Sequence, residues 1–209
     1  MSDKVLNCLL RRPQAKWKLF CFPWAGGGAV FYANWGRNMS EDVEVHGVCL
    51  AGRESRYNEP VSSDVGHYGR LSSFSDSKPY EERARSRAKS FVCVRDIRSV
   101  CKYIYTRGTP SEILDNKEYI SIFLPALKAD FELLYNISAE NSDPMPVLSS
   151  SIHVFDGSDD APHDLQAWRS VSSGEFDLTI LKGGHFYLKD TECSIKLQQC
   201  ILQKLSLTS

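Results

Sequence analysis

Apolar positions along the chain fall into short runs and helical stripes, and their order predicts the architecture. Trp17 to Phe22 is a largely apolar run closed by Pro23 and the glycines at 26 to 28. A run of this kind ending in a Gly-rich turn reads as a buried strand feeding a loop. Ala29 to Met39 carries Phe31, Tyr32 and Trp35 at spacings of three and four, which predicts a helix. Val43 to Leu50 reads as a second strand, ending at Ala51-Gly52-Arg53. From Val61 to Ser90 serine, glycine and charge replace this texture, and no apolar period survives before Phe91. That polar segment has little area to bury and is expected to be the least ordered part of the chain. Phe91 to Val94 is a short strand candidate, and Val100 to Tyr105 a helical one. Asn116 to Tyr135 carries a broad apolar stripe that Pro125 is expected to kink or split. Ser151 to Phe155 and Phe176 to Leu181 read as strands flanking a short helix at Asp164 to Val171, and Cys193 to Leu205 closes the chain as an amphipathic helix. Strand, helix, strand at both ends predicts an α/β fold with a mainly parallel sheet.

The 209 residues suit one domain, 1–209, with room for a sizeable core, and 42% hydrophobic content excludes disorder of the whole. A formal net charge of −1 argues against a dedicated nucleic-acid binder. Locally, Lys78 to Arg107 holds nine Lys/Arg against three Asp/Glu, which reads as a solvated face rather than a phosphate or nucleic-acid site. No run of about 18 apolar residues predicts a membrane span, and the start of the chain does not read as a signal peptide. The seven cysteines are odd in number and include no C-x-x-C pair. Small buried thiols in a reducing cytoplasm are expected, with no metal site and no disulfide framework.

Two constellations carry chemistry. The first is the strand ending Asp156-Gly157, then Ser158-Asp159-Asp160, a helix, a second strand, and Gly183-Gly184-His185-Phe186. In a parallel sheet, loops at the carboxyl ends of strands share one edge. An Asp after one strand and a His after the next therefore meet there. A carboxylate on one ring nitrogen leaves the other to take a proton. On spacing alone, a surface coincidence is an equal alternative. If the pair is real, an Asp160 oxygen lies within about 3.5 Å of His185 Nδ1. The second constellation is the loop Phe22-Pro23-Trp24-Ala25-Gly26-Gly27-Gly28. Such a turn can aim backbone N–H groups at a developing oxyanion. A plain tight strand–helix turn is its alternative. The phosphate-loop patterns G-x-x-x-x-G-K-[ST] and G-x-G-x-x-G are absent.

Four separated segments then agree in order: KLFCFPWAGGGAVFYANW, AGRESRYNEP, RGTP followed by LPALKADFEL, and GSDD with AWRSV and LKGGHFYL. Together they closely resemble the type II thioesterases, the medium-chain S-acyl fatty acid synthase thioesterases among them. The resemblance covers residues 5–60 and 105–205. It implies an α/β-hydrolase-like domain with a helical lid at about residues 105–137. It also implies hydrolysis of medium-chain acyl thioesters carried on the phosphopantetheine arm of an acyl carrier protein or fatty acid synthase. In such enzymes Ser, Asp and His do the chemistry. By match to the motifs, Asp160 is the acid, His185 the base, and the backbone of Trp24 and Ala25 lines the oxyanion hole. No cofactor or metal is implied, and the expected location is cytoplasmic.

The middle of the chain departs from that pattern. The family's nucleophile sits in G-x-S-x-G, a strained strand-to-helix turn that tolerates only small neighbours. This chain has no such motif. Gly66-His67-Tyr68-Gly69 has its outline but no Ser, and comes early. Lys78-Pro79-Tyr80 matches the entry to the family's strand, and an ungapped reading brings Ser86 to the nucleophile position. Ser86 lies in Ala84-Arg85-Ser86-Arg87-Ala88 after Glu81-Glu82-Arg83, which does not read as a central buried strand. The expectation is therefore a fold with abbreviated central strands and an impaired hydrolase. The alternatives are a catalytically dead acyl- or carrier-binding relative, or a truncated product without function.

Overall fold

The computed structural model describes residues 4–62, 116–140, 148–160, 162 and 164–207. Expectations for residues 63–115 lie outside these described residues: most of the polar segment, the run 91–94, the helix 100–105, and Ser86.

Strand β2 (Trp17–Cys21) pairs in parallel with β3 (Val43–Val48), placing Leu19 opposite Val45. A two-residue strand β1 (Leu6–Asn7) closes the other edge of β3 antiparallel, so β3 is central. The crossover from β2 to β3 begins with helix α1 (Val30–Ala33), which continues as a 3-10 turn over Asn34–Arg37. The single helix expected over 29–39 is thus only partly α. Asn34 and Gly36 are poor helix formers, and the Asn34 side chain donates to Val30 O at 2.9 Å, tightening the chain at that point. Position 47 must be Gly: a Cβ there would stand 2.2 Å from Ala29 O, where α1 starts against β3.

Strands β4 (Ile152–Gly157) and β5 (Phe176–Leu181) form a second parallel pair, in register from Ile152 opposite Phe176 to Gly157 opposite Leu181. Their crossover is a 3-10 helix, Leu165–Val171, capped by Asp164, which accepts from Gln166 N and Ala167 N. Helix α3 (Thr191–Leu207) follows β5. Helix α2 (Lys117–Glu140) runs through Pro125, and the expected split does not occur. Proline removes one rung of the ladder. Burial of Ala126, Leu127, Ala129 and Asp130 just beyond it anchors the continuing turns. No described helix is long and apolar enough to cross a membrane.

Both sheets contribute to one core. Leu19, Cys21, Val43 and Val45 from the first meet Phe155 and Leu181 from the second. Tyr32 and Trp35 cap this cluster, and Leu197, Ile201 and Leu205 seal it with one stripe of α3. Five cysteines among the described residues are free thiols, and Cys21, Cys49 and Cys193 are buried. The opposite face of β3 carries Glu44 and His46, and both are buried too. The segment after β1 reaches across this face, with Arg12 N–H donating to the Glu44 carboxylate.

Candidate active site

The loops after β4 and β5 are stitched together before any side chain acts. Ser158 N–H donates to Leu181 O at 2.7 Å, and Asp159 N–H to Gly183 O at 2.9 Å. Gly183 N–H returns to Ser158 Oγ at 3.3 Å. Close approach requires Gly157, where a Cβ would lie 2.4 Å from Gly183 O. Below the His loop, Tyr187 is buried and donates its hydroxyl to Phe155 O at 3.0 Å, pinning the loop to β4.

On this base His185 Nδ1 and Asp160 Oδ2 stand 3.1 Å apart, inside the expected distance. The two side chains are mostly buried, at 17% and 7% exposure. A carboxylate oxygen at Nδ1 is the arrangement that orients an imidazole for proton transfer through Nε2. The contact meets the distance expected from the order of strands and loops.

The glycine loop lies beside the His loop. Lys189 Nζ sits 4.5 Å from the Phe186 ring centroid and 5.6 Å from that of Trp24, bridging the two segments. Trp24 also packs edge-on against Phe31 at 4.9 Å. Gly27 N–H donates to Trp24 O at 2.7 Å, and Gly26 has φ +72. This is a β-turn with a left-handed third residue, which favours Gly. Because a trans peptide is planar, its N–H points opposite to its C=O. Trp24 O faces into the turn toward Gly27, so Ala25 N–H faces out of it. An outward backbone N–H at this turn is what an oxyanion site requires.

Three residues that carry this arrangement were not singled out by sequence reasoning. Asp130 of α2 accepts Gly26 N–H at 2.8 Å and both terminal nitrogens of Arg53, at 2.9 and 2.8 Å. Arg53 also donates to Gly27 O at 3.1 Å. Glu54 caps α1 by accepting Ala29 N–H and Val30 N–H at 3.0 and 3.1 Å. Arg53 and Glu54 follow β3 in AGRES, and Asp130 lies in LKADF, so the signal was present as motif but not as role. Ser86, the proposed nucleophile, lies outside the described residues.

One described group has metal-ligand chemistry: Cys8, Glu44 and His46 offer atoms within 4.8 Å of one another. Its carboxylate is already engaged. Glu44 Oε1 is 2.7 Å from His46 Nε2 and 3.4 Å from Lys18 Nζ, and Oε2 accepts Arg12 N–H. Burial, with Glu44 second, raises the pKa of the Cys8 thiol, which opposes thiolate ligation. An ammonium at the same oxygen disfavours a cation further.

The family model described as Thioesterase domain matches residues 17–65 and 72–199. The medium-chain S-acyl fatty acid synthase thioesterase of Rattus norvegicus is 29% identical over an alignment covering all of this chain and 95% of that protein. Its Homo sapiens counterpart is 28% identical, with 94% covered. The rat alignment runs over 251 positions against the 209 residues here, a difference of 42, consistent with internal abbreviation. Among solved structures, the type II thioesterase BorB of the borrelidin biosynthetic cluster superposes with TM-score 0.68 at 22% identity, over 97% of this chain and 98% of that one. Human thioesterase 2 superposes with TM-score 0.58 at 24% identity, over 93% and 98%. These likenesses show an α/β-hydrolase fold.

Proposed function

The chain belongs to the thioesterase domain family, and from that premise we propose that it hydrolyses medium-chain acyl thioesters held on an acyl carrier protein or fatty acid synthase. The observation that carries this reading is the 3.1 Å contact of His185 Nδ1 with Asp160, beside a turn that presents Ala25 N–H outward. His185 takes a proton from the attacking serine through Nε2, and Asp160 orients and stabilises the ring as it becomes positive. Backbone N–H groups at Trp24 and Ala25 hold the oxygen of the tetrahedral intermediate. Collapse of that intermediate expels the pantetheine thiolate, which takes up the proton from His185. Water then repeats the cycle on the acyl-serine and releases a fatty acid. Helix α2 belongs to the lid over the acyl chain. Medium chain length and the fatty acid synthase come from the names of the rat and human relatives, S-acyl fatty acid synthase thioesterase, medium chain, and the carrier-bound thiol from the motif resemblance.

Ser86 is the serine assigned to the attack. Its Arg- and Glu-rich setting predicts turnover well below that of a complete elbow, since the nucleophile turn tolerates only small flanking residues and Arg85 and Arg87 flank this serine. A second reading follows from the absence of G-x-S-x-G: a chain that binds acyl thioesters without cleaving them. A fluorophosphonate serine-hydrolase probe and decanoyl-thioester turnover on the purified chain separate the two. Slow turnover lost in both Ser86→Ala and His185→Ala supports hydrolysis. Binding of the acyl thioester with no probe labelling and no turnover supports the second reading. Turnover lost in His185→Ala but kept in Ser86→Ala reassigns the nucleophile.

A further inference from the structure

Helix α2 touches the glycine turn at two places, and they lie on one helix face. Phe123 and Asp130 are seven residues apart, close to two turns. Phe123 packs on Gly26 so closely that a Cβ at that position would stand 2.4 Å from the ring. Asp130 receives Gly26 N–H at 2.8 Å. The Asp130 and Arg53 side chains, 9% and 7% exposed, are joined through two terminal nitrogens, and Arg53 holds Gly27 O as well. The loop after β2 is therefore fixed by the loop after β3 and by α2 together.

The consequence follows from peptide planarity. Gly26 N–H belongs to the Ala25–Gly26 peptide, so its bond to Asp130 sets that plane. Gly27 N–H on Trp24 O sets the plane of the preceding peptide, which carries Ala25 N–H. The two planes flank Ala25, and fixing both fixes the direction of its N–H. Only the second of them is set locally. The first is set from α2, through a charged acceptor whose own position depends on Arg53.

The geometry points to Asp130 as the positioning residue of the oxyanion turn, held by Arg53, so that docking of α2 and readiness of the Ala25 N–H donor are one event. This inference rests on the hydrolase reading for its catalytic meaning, though the clamp itself can be read without turnover. A bound acyl chain that shifted α2 would change the turn through this carboxylate. The residue touches backbone and not substrate, so its effect is on kcat rather than on KM.

The test uses the full chain labelled with ¹⁵N, as wild type, Asp130→Ala, Asp130→Asn and, as control, the exposed Lys128→Ala. Amide exchange is followed at Gly26 and along β2 and β3, with decanoyl-thioester kcat and KM measured in parallel. In Asp130→Ala, Gly26 exchange accelerates about tenfold or more beyond any acceleration that β2 and β3 amides share from the loss of the Arg53 partner. In the same variant kcat falls about tenfold with KM little changed. Asp130→Asn, which keeps an acceptor oxygen, recovers part of both, and Lys128→Ala changes neither. Unchanged Gly26 exchange in Asp130→Ala overturns the proposal. Equal acceleration across β2 and β3 also overturns it, since that marks general destabilisation. If the wild-type chain cleaves no thioester, the hydrolase reading falls, and Gly26 exchange still decides the clamp.

Discussion

His185 and Asp160 meet at 3.1 Å on the loops after β5 and β4, while His46 and Glu44 meet at 2.7 Å within β3. The two pairs share their chemistry and differ in their surroundings. Glu44 and His46 are i and i+2 on one strand, on the same face, 3% and 4% exposed. Among the described residues His46 Nδ1 has no hydrogen-bond partner. Burial lowers the pKa of His46 from 6.5 against the opposing pull of Glu44. Burial pushes Glu44 upward, but Arg12 N–H, His46 and Lys18 outweigh it and bring the carboxyl below 4.5. The result is a neutral imidazole on a carboxylate that stays ionised, sealed between a sheet and its covering segment. The other pair spans two loops at a sheet edge, beside a turn that presents a backbone donor. A carboxylate on a histidine is thus no sign of catalysis by itself; the proposed site differs in having a third partner, a turn with an outward backbone N–H.

Substitutions sharpen that contrast. The largest effect belongs to His185→Ala, expected to lower kcat/KM for decanoyl-thioester hydrolysis by on the order of 10³-fold, because the base is lost. His46→Gln, assayed in the same way, should leave it within a few fold. Asp160→Asn follows, with a loss of about 10²-fold. Since the pair acts as a unit, adding Asp160→Asn to His185→Ala should cost little more. Additive losses would show two independent roles and break the comparison.

Glu44→Leu is expected to act on stability instead, lowering the unfolding free energy in urea by about 3–5 kcal/mol, as Lys18, Arg12 N–H and His46 lose their common acceptor. An unchanged urea midpoint would show that the pair contributes nothing to the fold. The smallest effect concerns pH. The folded pKa of His46 lies below its unfolded value, so below pH 6.5 the unfolded chain takes up a proton that the folded chain refuses. Stability from this group is therefore unaffected at pH 7.5 and falls as pH drops, by at most about 1.4 kcal/mol per unit. His153, also lowered chiefly by burial and opposed by Asp177, adds in the same direction. The unfolded chain holds Glu44 near 4.5, so its stabilisation fades only below that pH. Thermal scans of His46→Leu should give a flatter melting temperature between pH 6.5 and 5 than wild type. A slope equal to wild type would place the acid sensitivity elsewhere.

Much of this was legible in the residues. The Phe176–Leu181 strand was readable to the residue, because its apolar run is bounded by turn chemistry on both sides. The Asp160–His185 meeting was readable because consecutive parallel strands bring their end loops together. The interior of β3 was less so. Glu44 and His46 alternate with Val43 and Val45 as a solvent face would, yet both are buried, with the segment after β1 folding back so that Arg12 N–H meets Glu44 and Phe20 stacking on His46. The α1 region was read as one helix because its apolar spacing outvoted Asn34 and Gly36. Asp130 and Arg53 are 77 positions apart, and no local pattern announces a partner at that distance. Their roles became visible only once α2 was set on the glycine turn.

The most direct measurement is steady-state hydrolysis of a decanoyl thioester of the pantetheine type by the full chain, beside His185→Ala and His46→Gln. Slow turnover that His185→Ala abolishes and His46→Gln preserves is the expected result. Hydrolysis no faster than buffer, or a rate that survives in His185→Ala, would contradict it.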